Sequence, residues 1–419
     1  MSVNSASGQQ ENNQLWHFPW SYRESFLIAL EILLLSLIIE VLSRGQGIAK
    51  LAFPLNIFIG LALIAIIIII GTQFRRQAVV RWLSSIPAAV SSISLFAFLV
   101  LLQGFIPQNH PAKPGLLTLL GLDHIKNSWI FALSGIYLLI SLGSVILRKS
   151  IPFRKKNLPF LLNHLGLWIA IAAGSLGSGD LMKLNIYLQE GGSFTSFAYA
   201  GDNTAHTLPF SIRLTDFNID NFPPDLVLVD AVTNTITDGN MLPLTEASSG
   251  KMQVFRDWQV TINEFINNAF YIEDNYIRKD SSGAAPAVRI SALNKKSGQV
   301  TAGWVSCGST RVQNSILQLG ADYFIAMTFP EVQKYSSEVI IRRAGVETDT
   351  TEIEVNRPYR ISGWRLYQMS YDEEKGKWSE YSILEAVNDP WLPAVYLGIF
   401  LMICGAVYLF WTGSGTKIK

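Results

Sequence analysis

A histidine inside a hydrophobic run is the first residue of this sequence that could do chemistry. His164 lies about six residues into an apolar block, roughly 9 Å along a helix at about 1.5 Å per residue. An ionisable group at that depth must face protein or water. In its neutral form the imidazole can lend a ring-nitrogen lone pair to a metal. A hydrogen bond to a neighbouring helix is the plain alternative, and on the residues alone both stand. Trp168 falls one turn further along. A flat apolar ligand could lie between the imidazole, the indole and a partner helix, although a tryptophan there is more often core or lipid-facing. His164 and Trp168 are therefore the candidate cofactor-binding residues, with His164 the candidate metal ligand. Gly166, Ala170 and Gly174 recur every fourth residue and predict a smooth strip for close helix packing.

Other chemistry is sparse. The sequence has no Gly-X-Ser-X-Gly, no Gly-X-X-X-X-Gly-Lys and no His-Glu-X-X-His, so hydrolase and ATPase readings lack support. His17 sits among Trp16, Phe18 and Trp20 as an interfacial residue, and His110, His124 and His206 read as ordinary loop histidines. The two cysteines are Cys307 and Cys404. Cys404 lies roughly 20 Å along the last apolar block from its outer end, which argues against a disulfide. Without a Cys-X-X-Cys, a thiol oxidoreductase is a poor reading.

The elements that must position His164 are membrane spans. Apolar residues gather into six blocks long enough to cross about 30 Å of hydrocarbon: Ser25–Leu42, Leu51–Gly71, Ile86–Phe105, Trp129–Leu147, Leu158–Ser178 and Trp391–Trp411. Arg75, Arg76, Arg81, Arg148, Lys149, Arg154, Lys155, Lys156, Lys417 and Lys419 mark one side of the membrane, against Arg44, Lys50, Lys113 and Lys126 on the other. The richer side is expected to be cytoplasmic, with both termini there. The polar stretch Met1–Arg23 is too long and too poorly basic for a cleavable signal, so the first block reads as a retained anchor. The first fourteen residues, rich in Ser, Asn and Gln, read as disordered.

Between Asp180 and Asp389 the pattern changes to short alternating runs such as Leu184–Leu188, Phe210–Leu214 and Val288–Ala292, the signature of antiparallel strands with one buried face. The expected fold is an α+β membrane protein. It has six transmembrane helices and one large β-rich extracytoplasmic domain, sandwich- or barrel-like, between helices 5 and 6. The expected segments are 1–24 cytoplasmic, 25–71 two helices, 86–178 three helices, 180–389 the β domain, 391–411 the final helix and 412–419 a cytoplasmic tail. A formal net charge of +1 gives nucleic acid no electrostatic footing.

Several separated segments carry a resemblance. Arg81-Trp82-Leu83-Ser84-Ser85 leads into a span ending Gly104-Phe105-Ile106-Pro107-Gln108. Asn163-His164-Leu165-Gly166 runs on through Gly174 to Glu190-Gly191, and Leu208–Phe217 follows, similar to a first long strand of an exported domain. Val355-Asn356-Arg357-Pro358, Gly363-Trp364-Arg365-Leu366-Tyr367-Gln368 and Tyr371 precede Asp389-Pro390 and a span with Gly398 and Gly405. In order and spacing, from about Arg81 onward, these resemble the ResB (CcsB) family of system II cytochrome c biogenesis. The first two spans precede the region of resemblance, and their role is unassigned. The sequence also lacks a tryptophan-rich heme-handling motif, which that family's partner CcsA (ResC) carries.

The resemblance implies one half of a two-part membrane complex with a CcsA/ResC-type protein. Such a complex moves heme across the cytoplasmic membrane and attaches it to apocytochrome c. It further implies heme b shared with the partner subunit, His164 as ligand, and a subunit of a cytochrome c heme lyase rather than an enzyme alone. The β domain would dock the partner and the apocytochrome. Two rival classes are an extracytoplasmic scaffold or sensor without heme contact, and a small-molecule transporter subunit. The transporter would need polar residues in several spans, whereas beyond His164 the spans are expected to carry almost none.

Overall fold

The computed structural model describes residues 16–108, 115–237, 241–343, 346–347 and 350–413. Lys113, His110, Lys417, Lys419 and the first fourteen residues, which figured in the sequence reading, lie outside them. The chain separates into a helical unit, Met1–Leu181 with Asp389–Lys419, and a β unit, Met182–Asn388.

The helices of the first unit are α1 (Tyr22–Leu42), α2 (Leu55–Gln73), α3 (Ala78–Leu83), α4 (Ile86–Phe105), α5 (Leu116–Leu119), α6 (Trp129–Ser150), α7 (Leu158–Leu176) and α8 (Leu392–Gly413). Six of them are long and apolar enough to cross a membrane, which reads the chain as a multi-pass membrane protein. Their starts follow local chemistry. Ser21 and Glu24 form a reciprocal capping box ahead of α1, and Pro87 and Pro159 sit in the first turns of α4 and α7, where no intrahelical N–H is needed. Helix α2 begins four residues later than its apolar run, after Pro54. Side chains such as Phe58, Leu61 and Ile68 of α2 point outward, as lipid-facing residues must. The hub is α6, which packs against α1, α2, α4 and α7. Its Ser134, Gly135, Ser141, Gly143 and Ser144 are buried and let neighbouring backbones approach.

Helices α7 and α8 pack along a seam of small residues. A Cβ on Gly166 would strike Gly398 O and come within 2.7 Å of Met402 N, and one on Gly398 would lie 2.6 Å from Gly166 O and 2.7 Å from Ala170 N. Gly174, expected in the same strip, has no atom within 4 Å of its Cβ position, and Gly177 instead meets Trp391. Residues four apart drift by about 40° around a helix at 3.6 residues per turn, so Gly174 has rotated off the seam. Seven residues nearly complete two turns and bring Gly177 back to it.

The β unit contains β1 (Met182–Gln189), β2 (Thr195–Tyr199), β3 (Ala205–Asn221), β4 (Asp225–Asp230), β5 (Leu242–Pro243), β6 (Met252–Phe255), β7 (Trp258–Ile272), β8 (Asn275–Arg278) and β9 (Ala285–Asn294). It continues with β10 (Val300–Ser306), β11 (Leu317–Leu319), β12 (Tyr323–Met327), β13 (Val332–Arg343), β14 (Val346–Glu347), β15 (Thr351–Glu354), β16 (Tyr359–Ile361), β17 (Trp364–Tyr371) and β18 (Tyr381–Asn388). Among the described residues the named strands pair antiparallel.

The first and last groups of strands form a nine-stranded sheet in the order β14-β13-β3-β2-β1-β18-β17-β16, with β15 pairing with β13. Its period-two pattern buries Leu184, Ile186 and Leu188 of β1 against Phe210, Ile212 and Leu214 of β3. The sheet curls over this face, so that Ser337 of β13 reaches Gln368 of β17 and Ser382 of β18, each at 2.7 Å. Gln368 Nε2 donates to Ser382 Oγ at 3.0 Å and to Ser370 O at 3.2 Å, which satisfies the buried amide. Strands β4–β12 form an inserted sandwich of a four-stranded and a five-stranded sheet around Leu228, Phe255, Ile262, Ile290 and Ile325. Barrel-like curvature and a sandwich thus coexist.

Candidate functional site

Helix α7 carries both sequence-predicted site residues on one face. His164 Nδ1 lies 2.9 Å from Phe160 O one turn earlier in the same helix, and the Phe160 ring stacks on the imidazole at 3.7 Å and 22°. With the carbonyl as acceptor, Nδ1 carries the proton and Nε2 keeps its lone pair. Among the described residues no protein group bonds to Nε2, and the side chain is half-buried. Histidines that bind metals are commonly arranged this way, one ring nitrogen tied to a carbonyl and the other left for the metal. Trp168 is engaged differently. Its indole Nε1 donates to Leu139 O of α6 at 3.0 Å, and its ring packs against a cluster of Leu63, Ile67, Leu139 and Ala172. Phe160, His164 and Trp168 thus form one stripe, anchored on α6 at Trp168. Among the described residues no cluster of three or more His, Cys, Asp or Glu could hold a metal ion, so His164 stands as a single donor.

At the other end of α7, Asp180 gathers three chain segments. Its carboxylate accepts from Phe53 N, Asn56 Nδ2 and Trp391 Nε1, each at 2.7 Å. Asn56 is fully buried and also donates to Leu176 O at 3.1 Å. Burial pulls the Asp180 carboxyl upward, but these donors outweigh it and hold it below the ordinary range.

A second polar cluster escaped the sequence reading. Glu40, near the end of α1, is completely buried. Its carboxylate accepts from Trp129 N, the first residue of α6, at 2.7 Å and from Gly47 N at 3.0 Å. An anion at a helix N-terminus is favoured by the orphan N–H groups there. His124, expected to be an ordinary loop residue, brings Nε2 to 3.5 Å from Glu40 Oε1 without a hydrogen bond, while its Nδ1 lies 2.6 Å from Asp123 Oδ1. Burial raises the Asp123 carboxyl, but Thr118 and His124 bring it below its ordinary value. The available signal was an acidic residue ending an apolar span.

In the β unit, Phe210, Phe217 and Trp364 of the resembling segments are buried, and Asn356 occupies a turn at φ +64°. Tyr367 belongs to the same motif but is only half-buried, because the alternation along β17 turns Trp364, Leu366 and Gln368 inward. Cys307 is buried and its thiol is pushed up to about 11, chiefly by burial, so it is a poor nucleophile.

These observations define a multi-pass membrane protein with a large antiparallel β unit. The ResB-like family model matches residues 297–380, from the turn before β10 to the turn before β18. That stretch is 84 of the 419 residues, and within it the chain is similar to that family. No curated protein matches the chain.

Proposed function

We propose that this chain is the ResB-type subunit of a system II cytochrome c maturation complex, acting with a CcsA/ResC-type membrane partner. In this reading the complex carries heme to the outer face of the cytoplasmic membrane and attaches it to apocytochrome c. The match over residues 297–380 supports the family role, and His164 carries the heme assignment. His164 would hold heme b through Nε2, with Nδ1 and the Phe160 ring fixing the imidazole plane. Heme bound there would supply the iron that the Nε2 lone pair ligates. Trp168, bonded to α6, would keep this face of α7 in place rather than touch iron. The basic short loops support a cytoplasmic position for the His164 end of α7, where heme made inside first meets the complex. The β unit would lie outside and dock the partner and the apocytochrome, with no catalytic residue of its own.

The test is heme per purified complex, with the partner co-expressed. His164→Ala should keep its abundance, carry less heme and mature little cytochrome, with partial rescue by added imidazole. His164→Gln should not rescue, because an amide is a poor iron ligand. Wild-type heme occupancy in both variants would leave the chain a scaffold. Cys307→Ser should leave maturation intact, and loss of holocytochrome at normal abundance would revive a thiol role.

A further inference from the structure

The β unit holds hydrophobic cores that do not merge. One lies under the nine-stranded sheet around Ile186, Ile212, Ile341 and Leu366, and another lies inside the inserted sandwich around Leu228, Phe255, Ile262 and Ile290. The sandwich joins the sheet through Phe222-Pro223-Pro224, between β3 and β4, and through Phe329-Pro330, between β12 and β13. Bodies with separate cores and two chain crossings are free to turn about the crossings unless side chains tie them.

A tie is present. The strap Asp372–Ser379 leaves the sheet between β17 and β18. It is pinned at its base by Ser379 Oγ, which accepts from Asp372 N at 3.1 Å and donates to Tyr381 O at 2.7 Å. From its tip Lys377 Nζ bonds to Asn268 Oδ1 of the sandwich. Trp378 Nε1 donates to Asp280 Oδ1 at 2.9 Å, and Asn268 Nδ2 donates to that same oxygen at 3.0 Å. The Lys377 ammonium lies 4.5 Å over the Trp378 ring. Burial pulls this ammonium below its ordinary value, with the Asp280 carboxylate opposing. Between strap, crossings and sandwich lies a cavity of about 610 Å³, lined among others by Phe222, Pro224, Phe265, Cys307, Tyr371 and Lys377.

We propose that the Lys377–Trp378 strap is the latch of a hinged cleft. The inserted sandwich swings about the two proline-bearing crossings, and release of the latch from Asn268 and Asp280 opens the cavity that Cys307 lines. This device stands whether or not heme touches the chain.

Cys307 is its reporter. In the purified full-length protein carrying Cys404→Ser it is the sole thiol, and, buried and protonated, it reacts with a maleimide when the cleft opens. Trp378→Phe keeps the ring and removes the indole donor, and Lys377→Met keeps the stem and removes the ammonium. Each should speed labelling of Cys307 about fivefold, and the two together by more than tenfold, the ratios expected for losing one and two hydrogen bonds. A second reporter, Ala292→Cys in a Cys307→Ser, Cys404→Ser background, sits in the sandwich core and reacts on unfolding of the sandwich. Faster labelling of Cys307 with no change at Ala292→Cys is the expected result. Unchanged labelling of Cys307 in both latch variants would overturn the proposal. So would a parallel rise at both reporters, since the variants would then be loosening the sandwich itself.

Discussion

Trp391 Nε1 donates a 2.7 Å hydrogen bond to Asp180 across 211 residues of chain, tying the beginning of α8 to the end of α7. The same carboxylate accepts from Asn56 and Phe53, so the α2 start is held to the helix pair that carries His164.

Asp180→Ala should therefore cost about 1–3 kcal/mol, because it strands the Asn56 amide and the Trp391 indole, whereas Trp391→Phe should cost about 1 kcal/mol. The folded-state pKa of Asp180 lies below its unfolded value. Its contribution is thus full above the ordinary carboxylate range, about pH 3.9, and is lost as pH falls through the depressed folded value. Thermal melts of detergent-purified protein should show Asp180→Asn losing less stability than wild type on acidification below about pH 4. Equal acid sensitivity would mean that the carboxylate does not hold these segments.

The α7–α8 seam predicts opposite outcomes for neighbouring glycines. Gly398→Ala brings a methyl against Gly166 O and Ala170 N and should destabilise the protein by about 1–3 kcal/mol through overpacking. Gly174→Ala meets open space and should stay within about 0.5 kcal/mol of wild type. Melting temperatures of the two variants side by side decide it, and a costly Gly174→Ala would place the seam elsewhere.

Glu40→Ala should cost about 1–3 kcal/mol, since the part-buried Trp129 and Gly47 N–H groups lose their acceptor. Limited proteolysis in the segment between α1 and α2 should rise with it. Wild-type resistance and melting would show that the carboxylate is dispensable to the start of α6.

Topology is best read from Val232→Cys, at a site 86 % exposed, rather than from the buried Cys307. In a Cys307→Ser, Cys404→Ser background, a membrane-impermeant thiol reagent should label Val232→Cys in intact spheroplasts and Arg76→Cys only in inverted vesicles. The reverse pattern would invert the map and place the β unit with the cytoplasm.

The sequence by itself determined the six long apolar helices, the β character between residues 180 and 389 and the place of His164 along the fifth of those helices, because each is written in local periodicity: runs near 20 residues for apolar helices and period two for strands. It also showed that a small-residue strip lies on α7, though not that Gly174 turns away while Gly177 meets Trp391, since that depends on where α8 crosses. Only tertiary structure decided which polar groups pair. Glu40 with Trp129, Asp180 with Trp391, and Lys377 with Asn268 are separated by 89, 211 and 109 residues. A buried polar atom must find a partner wherever the fold brings one, and no local pattern records that meeting. The orientation of His164 was decided both ways. Its acceptor Phe160 O is local, one turn away, yet the lack of a partner at Nε2 among the described residues follows from which helices pack beside α7.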